Sequence, residues 1–323
     1  MKYFWSISFF IFIFTSAQCQ QTKFLTEVDS FGNNPGNLKM FVHSPSSTNK
    51  LPLVIVLHGC GESAKAVAEL TGWNKLADLN WFIVVYPQQK ILNNPNLCFN
   101  WFSERDNEKG KGECESIFEM IVFAKKNYGI DSNKIFITGL SAGAAMSVVM
   151  AATHPGLIKC GAIFAGGAYK IADDAIDGVK AMRGNNYFSK EKLVKDVKTQ
   201  NPTYKGKYPN MIIYQGQTDA VVNKKNALFL VNQWAGLNNT DTIPDKVEPN
   251  YMSVKDITRT EYHDSLGRTP VILYEINNIG HKLLIKPGDK ENEGGKKGMF
   301  GIDKGFHSTY QTAKEFGILK KKQ

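Results

Sequence analysis

Short apolar runs recur along the chain and are separated by stretches with helical periodicity. The runs are rich in Val, Ile and aromatic residues, and they occupy residues 53–57, 81–86, 135–138, 161–164, 210–214 and 271–276. Each run is continuously apolar rather than alternating. This pattern predicts strands of a parallel sheet that is covered by helices on both faces.

Three of the intervening stretches have the pattern of helices. In residues 113–126, Ile117, Met120, Ile121 and Ala124 fall on one helix face. Residues 141–154 are small and apolar throughout, which is typical of a buried helix, and the proline that follows helps to end it. Residues 223–234 also have the pattern of a helix. The alternation predicts an α/β fold with a mostly parallel, doubly wound sheet flanked by helices.

Two segments depart from this alternation. Residues 168–208 are polar and rich in Lys and Asn, and they lie between two predicted strands, so we expect them to overhang a site. Residues 258–276 are typical of a hairpin with its turn at 264–267. No internal repeat or long linker interrupts the pattern. We therefore expect a single catalytic domain over residues 18–323.

The N-terminus has the three parts of a secretory signal. Lys2 supplies the positive start, residues 4–14 are apolar, and small residues follow at 15–17. The apolar run is too short for a membrane span. We expect cleavage after Ala17 and a secreted or periplasmic protein. A lipid anchor on Cys19 is the less favoured alternative, because Gln18 stands where lipoprotein signals carry a small residue.

Composition excludes several classes of protein. The 323 residues are 42% apolar and 21% charged, as in ordinary globular proteins. The net charge is +9, and it falls to +8 when residues 1–17 with Lys2 are removed. The positive residues are mostly scattered and no aromatic-rich RNA motif accompanies them, so we expect no nucleic-acid partner. Nothing indicates an obligate protein partner or a membrane-spanning helix.

The cysteines point to disulfides rather than to a metal site. In addition to Cys19, the chain contains Cys60, Cys98, Cys114 and Cys160. Four cysteines in an exported protein allow up to two disulfides in three connectivities. The chain contains neither Cys-x-x-Cys nor His-Glu-x-x-His, so no metal is expected.

A nucleophile motif lies directly between a predicted strand and a predicted helix. Residues 139–143 read Gly-Leu-Ser-Ala-Gly and match G-x-S-x-G, with Ser141 at the centre. The string alone has little specificity, but its strand–turn–helix context is the one that a nucleophile elbow of an α/β-hydrolase requires. The helix that follows directs its positive N-terminus at developing negative charge. The motif predicts Ser141 as the nucleophile.

A serine nucleophile needs a base and an acid that orients the base. In this fold the order along the chain is Ser, acid, His, and each residue follows a strand. Asp219 lies just beyond the strand 210–214, and His281 lies just beyond 271–276. Both therefore fit the order and the placement. The weaker alternatives, none of which closes a core strand at the expected edge, are Glu248, Asp245, His263 and His307.

Attack by the serine gives a tetrahedral intermediate with a negatively charged oxygen. This oxyanion needs two hydrogen-bond donors. One should be the N–H of Ala142, directly after the nucleophile, and the other should come from the loop after an early strand. The sequence His58-Gly59-Cys60-Gly61 follows strand 53–57, so the second donor is assigned to Cys60. We expect a structural rather than a catalytic role for His58.

The same loop matches a dinucleotide-binding pattern. Residues 59–64 satisfy G-x-G-x-x-A after a strand. Such a site also needs an acidic residue at the end of the next strand, and residues 86–88 are Tyr-Pro-Gln. The missing acid argues against a nucleotide cofactor, and none is expected.

Longer strings resemble a known family. They are LHGCGES (57–63), YPQQ (86–89), NNPNLCFNWF (93–102), GLSAGAAMS (139–147) and the Gly280-His281 pair. They are similar to poly(3-hydroxybutyrate) depolymerase-type esterases, a family that includes feruloyl and acetylxylan esterases. The resemblance covers roughly residues 50–285.

The resemblance implies an α/β-hydrolase fold with roles for particular residues. It implies Ser141, Asp219 and His281 as the triad and Cys60 and Ala142 as oxyanion donors. Trp101 is implied as a substrate contact, and we place His58 beside it as a second candidate contact. The family also suggests a Cys60–Cys98 disulfide, which leaves Cys114 and Cys160 as a second pair or as free buried thiols.

The chain departs from the family pattern beside the triad. Gln215-Gly216 stands where the family has His-Gly, and residues 282–288 replace the Trp-Pro-Gly run that usually follows the base. These departures leave the triad residues intact. We expect them to change the acyl or alcohol pocket rather than the reaction.

Together these features predict a serine carboxylic ester hydrolase that acts by two-step acyl transfer on a polymeric or polymer-derived ester. No polymer-binding domain is recognised in the chain, which favours feruloyl or acetyl esters of plant polysaccharides, with a polyester of the hydroxybutyrate type as the alternative. A peptidase of this fold would carry an added propeller or cap domain, and none fits. A catalytically inactive exported binding protein is the alternative of another class.

Overall fold

The computed structural model describes residues 24–45 and 50–320. The signal peptide expected at residues 1–17 and the alternative lipidation site at Cys19 lie outside the described residues. None of the helices in the described ranges combines the length and the apolar character needed to cross a membrane.

A ten-stranded sheet forms the centre of the molecule, and a two-stranded sheet lies beside it. The strands are β1 (Thr26–Val28), β2 (Lys39–His43), β3 (Leu51–Leu57), β4 (Ile83–Gln88), β5 (Ile130–Leu140), β6 (Cys160–Phe164), β7 (Asn210–Gly216), β8 (Lys246–Pro249), β9 (Ile257–Tyr262), β10 (Val271–Ile276), β11 (Leu283–Ile285) and β12 (Gly301–Asp303). The helices are α1 (Ala64–Thr71), α2 (Trp73–Asn80), α3 (Gly112–Asn127), α4 (Ala142–Thr153), α5 (Ala175–Met182), α6 (Lys190–Gln200), α7 (Lys225–Leu237) and α8 (Ser308–Glu315).

The central sheet is parallel in its middle and antiparallel at its edges. Its order is β1-β2-β4-β3-β5-β6-β7-β10-β9-β8. Strands β4, β3, β5, β6, β7 and β10 pair in parallel, whereas β1, β2, β9 and β8 join antiparallel. Each of the six parallel strands coincides with one of the six apolar runs of the sequence, although β4 begins at Ile83 and leaves Trp81 and Phe82 outside it. The predicted fold class is confirmed. Their carboxyl ends meet at one edge, where this kind of sheet places its ligands.

Helices bury both faces of the sheet. Helices α3, α4, α6 and α7 cover one face, and α1, α2 and α8 cover the other. In β3, Leu53 and Ile55 belong to the first core, whereas Val54 and Val56 belong to the second. Successive side chains of a strand point to opposite faces, so a strand buried on both faces has a continuously apolar sequence.

Of the two segments that departed from the alternation, one has the predicted structure and the other contains helices that were not predicted. The hairpin predicted at 258–276 is present as the antiparallel pair β9–β10, with Gly267 in its turn at φ 72°. The segment 168–208 contains helices α5 and α6, which the polar composition did not reveal. Helix α6 buries only Leu193 and Val197, and this short apolar stripe explains why no helix was predicted there.

His154 is a buried imidazole at the end of α4. Its ring stacks on Phe118 with 4.7 Å between centroids, and its Nδ1 lies 2.9 Å from Thr153 Oγ1. Burial, assisted by the charge of Lys109, lowers the pKa of His154 to about 4. As the pH falls, the unfolded chain therefore binds a proton at this side chain before the folded protein does.

Replacing His154 by Leu should remove this pH-dependent contribution to stability. Because the folded pKa lies below the unfolded one, the contribution is complete above about pH 6.5 and is lost as the pH falls towards 4. We expect the destabilisation caused by His154→Leu to be about 2 kcal/mol smaller at pH 4.5 than at pH 7, as measured by urea unfolding. Equal destabilisation at both pH values would contradict this account.

Candidate active site

Ser141 occupies a strained turn between β5 and α4. Its backbone has φ 57° and ψ −120°, in the region of positive φ that side chains rarely adopt. The Ser141 N–H donates to the Phe164 carbonyl at the end of β6, at 2.9 Å. The serine therefore projects from the carboxyl edge of the sheet at the start of a helix, as the motif predicts for a nucleophile elbow.

Two glycines make this turn possible. A Cβ at Gly139 would collide with the main chain of Gly143, and a Cβ at Gly143 would collide with the carbonyls of Leu57 and His58. Glycine is therefore required at both positions for close approach of the backbone, which is the physical reason for the G-x-S-x-G spacing. The same contact presses the elbow against the loop that follows β3.

Asp219 and His281 form a hydrogen-bonded pair at the same edge of the sheet. Asp219 follows β7, His281 follows β10, and Nδ1 of His281 lies 2.8 Å from Asp219 Oδ2. The other oxygen of Asp219 accepts the N–H groups of Val221 and Val222, both at 2.8 Å. The Asp219 side chain is fully buried, and that of His281 is 10% exposed. These contacts leave Nε2 of the imidazole available as a base.

The structure records no hydrogen bond from the Ser141 hydroxyl to His281 among the described residues. Ser141 instead shares a cleft with residues 220–222, which directly follow Asp219. Bonds of this type are often long in free enzymes and shorten when substrate binds. The arrangement therefore brings the three predicted residues to one edge, with the acid–base contact already made.

The alternative acids and bases serve other contacts. Glu248 pairs with Arg259, and Asp245 accepts the N–H of His263. The imidazole of His307 is buried, with Nε2 3.0 Å from the Thr71 carbonyl.

The loop after β3 is held so that one N–H stays free. Gly59 N–H donates to the Glu62 carboxylate at 2.8 Å, and Gly61 N–H donates to the Asn96 carbonyl at 2.8 Å. The Cys60 N–H between them has no acceptor among the described residues. Cys60 and Ala142 both line the cleft beside Ser141, as oxyanion donors should.

The disulfide that the resemblance implied is present. Cys60 and Cys98 are bonded and tie the loop after β3 to residues 93–102. Cys114 and Cys160 are free and buried, and they belong to different cores. The alternative of a second pair is therefore corrected to two separate thiols.

His58 has the structural role that the sequence predicted, but it is not the substrate contact that was placed beside Trp101. The residue is fully buried and does not line the cleft. Its Nδ1 lies 2.7 Å from the Gly59 carbonyl, its Nε2 accepts the Gln89 N–H at 3.1 Å, and burial lowers its pKa to about 4. A substrate cannot reach this neutral ring. His58 therefore supports the loop after β3 and does not contact substrate.

Sequence reasoning missed Glu113, a buried carboxylate beneath the disulfide. It accepts hydrogen bonds from the backbone N–H and the side-chain amide of Asn100, both at 2.8 Å, and from the Gln89 amide. The Gln89 amide also donates to the Cys98 carbonyl. Burial and the negative charge of Asp106 raise the pKa of Glu113 to about 8, and these N–H donors oppose the shift. The carboxylate thus anchors the segment that carries Cys98 and Trp101.

Glu62 is a second residue that the sequence did not reveal. Its carboxylate holds Gly59 and lies close enough to His281 for an electrostatic interaction. Burial raises the pKa of Glu62, whereas the Gly59 N–H and the charge of His281 act in the opposite direction. The spacing of residues along the chain did not predict this role, because the contact between Glu62 and Gly59 depends on how the loop folds.

The cleft beside Ser141 has a volume of about 340 Å³. Trp101 and Phe102 form one wall, residues 175–183 on and after α5 form another, and residues 220–222 complete it. The lining is mostly apolar. Gln215, which replaces the usual histidine of the resembling family, lies beneath this region and donates to the Val222 carbonyl at 3.0 Å. It therefore supports the loop of Asp219 rather than entering the cleft.

Replacing Glu113 by Gln should destabilise the protein. Both oxygens of Glu113 accept hydrogen bonds from N–H groups. A glutamine has an N–H₂ group in place of one of these oxygens, and that donor would face another donor. We expect the free energy of unfolding to fall by about 2 kcal/mol, as measured by denaturant unfolding at about pH 9, above the pKa of about 8, where Glu113 is a carboxylate. Glu119→Gln on the same helix, at a partly exposed position, is the control and should change stability by less than about 0.5 kcal/mol. Equal effects of the two substitutions would contradict the anchoring role.

Known proteins share both the sequence and the fold. The poly(3-hydroxyalkanoate) depolymerase C of Paucimonas lemoignei is 36% identical over 296 residues, which cover 91% of this chain and 70% of that protein. The acetylxylan esterase A of Aspergillus oryzae is 32% identical over 220 residues, covering 66% and 71%. A solved acetyl xylan esterase from Aspergillus awamori superposes with a TM-score of 0.72 at 27% identity, covering 80% of this chain and 93% of the other.

The family model described as esterase PHB depolymerase matches residues 38–244. This range contains Ser141 and Asp219 and ends before His281. The relatives, the solved structure and the family model agree on ester hydrolysis, and the parallel sheet has the α/β-hydrolase arrangement. The chain is thus a carboxylic ester hydrolase and belongs to the esterase PHB depolymerase family.

Proposed function

We propose that Ser141, Asp219 and His281 hydrolyse the ester by two-step acyl transfer. The observation that carries this proposal is the 2.8 Å contact between Asp219 and His281 at the sheet edge where strained Ser141 projects. Because Nδ1–H donates to Asp219, Nε2 is left to take the Ser141 proton. The buried aspartate then stabilises the imidazolium that forms.

The remaining parts of the site suit the charge that develops. As Ser141 attacks the carbonyl carbon, the N–H groups of Cys60 and Ala142 receive the oxyanion, and the N-terminus of α4 adds its positive potential. His281 returns the proton to the leaving alcohol. Water then releases the acid by the reverse sequence, and no cofactor is required.

The cleft supports a polyester of hydroxyalkanoate type as the first substrate class. Its lining is mostly apolar, and Val179 and Val221 at the cleft are 52% and 54% exposed. Ile176, one turn before Val179, is 70% exposed. Exposed apolar side chains around a site suit an apolar polymer. The sequence favoured polysaccharide esters because no polymer-binding domain was recognised, but this rim supplies an apolar surface within the catalytic domain.

Feruloyl esters are the second substrate class. Trp101 and Phe102 lie edge to face, with 5.5 Å between centroids, and both line the cleft. An aromatic acyl group can pack against such a pair. The Cys60–Cys98 disulfide supports the proposal that the protein is exported.

A non-catalytic binding role gains no support from the site. A backbone held at positive φ costs of the order of 1–3 kcal/mol, and such strain is usually retained where it serves a mechanism. The hydrogen-bonded Asp219–His281 pair beside it has no evident use in a binding protein.

Replacing Ser141 by Ala should lower kcat on p-nitrophenyl acetate by about 10⁴-fold or more, since the nucleophile is lost. Ser265→Ala, in the exposed turn between β9 and β10, is the matched control and should leave kcat unchanged. Circular dichroism should show both variants folded. Retained turnover in folded Ser141→Ala would sink the assignment.

A substrate panel separates the two classes. We expect the highest kcat/KM on soluble hydroxybutyrate oligomers, a lower value on methyl ferulate, and the lowest on acetylated xylan, because the cleft has few groups that can bind sugar hydroxyls. Hydrolysis is followed by release of the free acid. The highest value on acetylated xylan would contradict the proposed order.

A further inference from the structure

Arg183 carries the only charged side chain that lines the catalytic cleft in the described part of the chain. The other lining residues are apolar or small, apart from the Ser141 hydroxyl and the Cys60–Cys98 disulfide. Arg183 directly follows α5 and is exposed. A single guanidinium in otherwise apolar surroundings is a conspicuous recognition element, because few neighbouring polar groups compete for a ligand.

This guanidinium has no acidic partner within residues 24–45 and 50–320. Asp177, the acidic residue on α5, pairs with Lys180 at 3.0 Å. Two other arginines show the contrast, since Arg259 pairs with Glu315 and Arg268 pairs with Asp264. Arg183 therefore keeps its five N–H donors available for a ligand.

The backbone on both sides of Arg183 is fixed to the loop that carries the catalytic acid. The Met182 carbonyl accepts the Asn223 N–H at 2.7 Å and the amide of fully buried Asn226 at 3.0 Å. The Gly184 carbonyl accepts the Lys225 ammonium group at 3.1 Å. Asn223 lies only four residues after Asp219. These bonds hold the base of the Arg183 side chain at a set position relative to the triad, which lowers the entropy lost on binding.

We propose that Arg183 forms a carboxylate-binding subsite, so that the enzyme prefers esters that carry a free carboxylate some way from the scissile bond. A guanidinium matches a carboxylate with two parallel N–H···O bonds, and the apolar cleft holds the chain between the two groups. This inference rests on the proposed function at Ser141. It adds a substrate feature that the triad does not determine.

A carboxylate of this kind has two sources in the proposed substrates. One is the free acid end of a hydroxyacid oligomer, and the other is a uronic acid on an esterified saccharide. The experiment therefore has two arms. The first compares 3-hydroxybutyrate trimer with its methyl ester, and the second compares acetylated glucuronoxylan oligosaccharides with the same material after carboxyl reduction.

The readout is the ratio of kcat/KM for the charged substrate to kcat/KM for its neutral partner. In at least one arm, Arg183→Gln should lower this ratio about ten-fold, mainly through KM, because a charge-assisted hydrogen-bonded pair is lost. Arg183→Lys keeps the charge without the planar fork and should give an intermediate ratio. Arg105→Gln, an exposed arginine outside the cleft, is the control and should leave the ratio unchanged.

The arm that responds identifies the source of the carboxylate. An unchanged ratio in both arms, or an equal fall with Arg105→Gln, overturns the subsite while leaving the triad intact. Failure of the wild-type enzyme to hydrolyse the methyl ester of the trimer would instead contradict the proposed function, so the two failures are distinguishable.

Discussion

The positive φ of Ser141 is the constraint on which the site depends. The strained backbone conformation is held in place by contacts on both sides of Ser141. The Ser141 N–H is bonded to β6, and Gly143 lies against the carbonyls of Leu57 and His58. That contact joins the nucleophile turn to the loop after β3. The N–H groups of Cys60 and Ala142, the proposed oxyanion donors, are therefore fixed relative to each other before substrate arrives, and such preorganisation would make them effective.

Two carboxylates extend this support beyond the elbow. Glu62 holds the start of the Cys60 loop through Gly59, and Glu113 holds the partner segment through Asn100. The Cys60–Cys98 disulfide joins the two segments. Burial raises the pKa of both carboxylates, and the N–H donors they face offset only part of this effect. The loops beside Ser141 are thus fixed by hydrogen bonds to buried groups rather than by regular secondary structure.

The sequence predicted the features that depend on order along the chain. Strands buried on both faces give continuous apolar runs, so all six parallel strands were recognised, and the residues after β5, β7 and β10 were brought to one edge. Contacts between distant segments gave no such signal. Nothing in the spacing showed that Glu113 lies beneath Asn100, or that His58 turns into the core towards Gln89. Helix α5 was missed because only Gly178 and Ala181 are buried in it.

The central claim is that Ser141 is a nucleophile activated by its neighbours, and covalent labelling tests it most directly. The folded protein would be treated with a fluorophosphonate and its mass measured intact, followed by peptide mapping. The account predicts one adduct, on Ser141, that forms much more slowly in a His281→Gln variant. No adduct on the folded wild type, or an adduct on another residue, would contradict it.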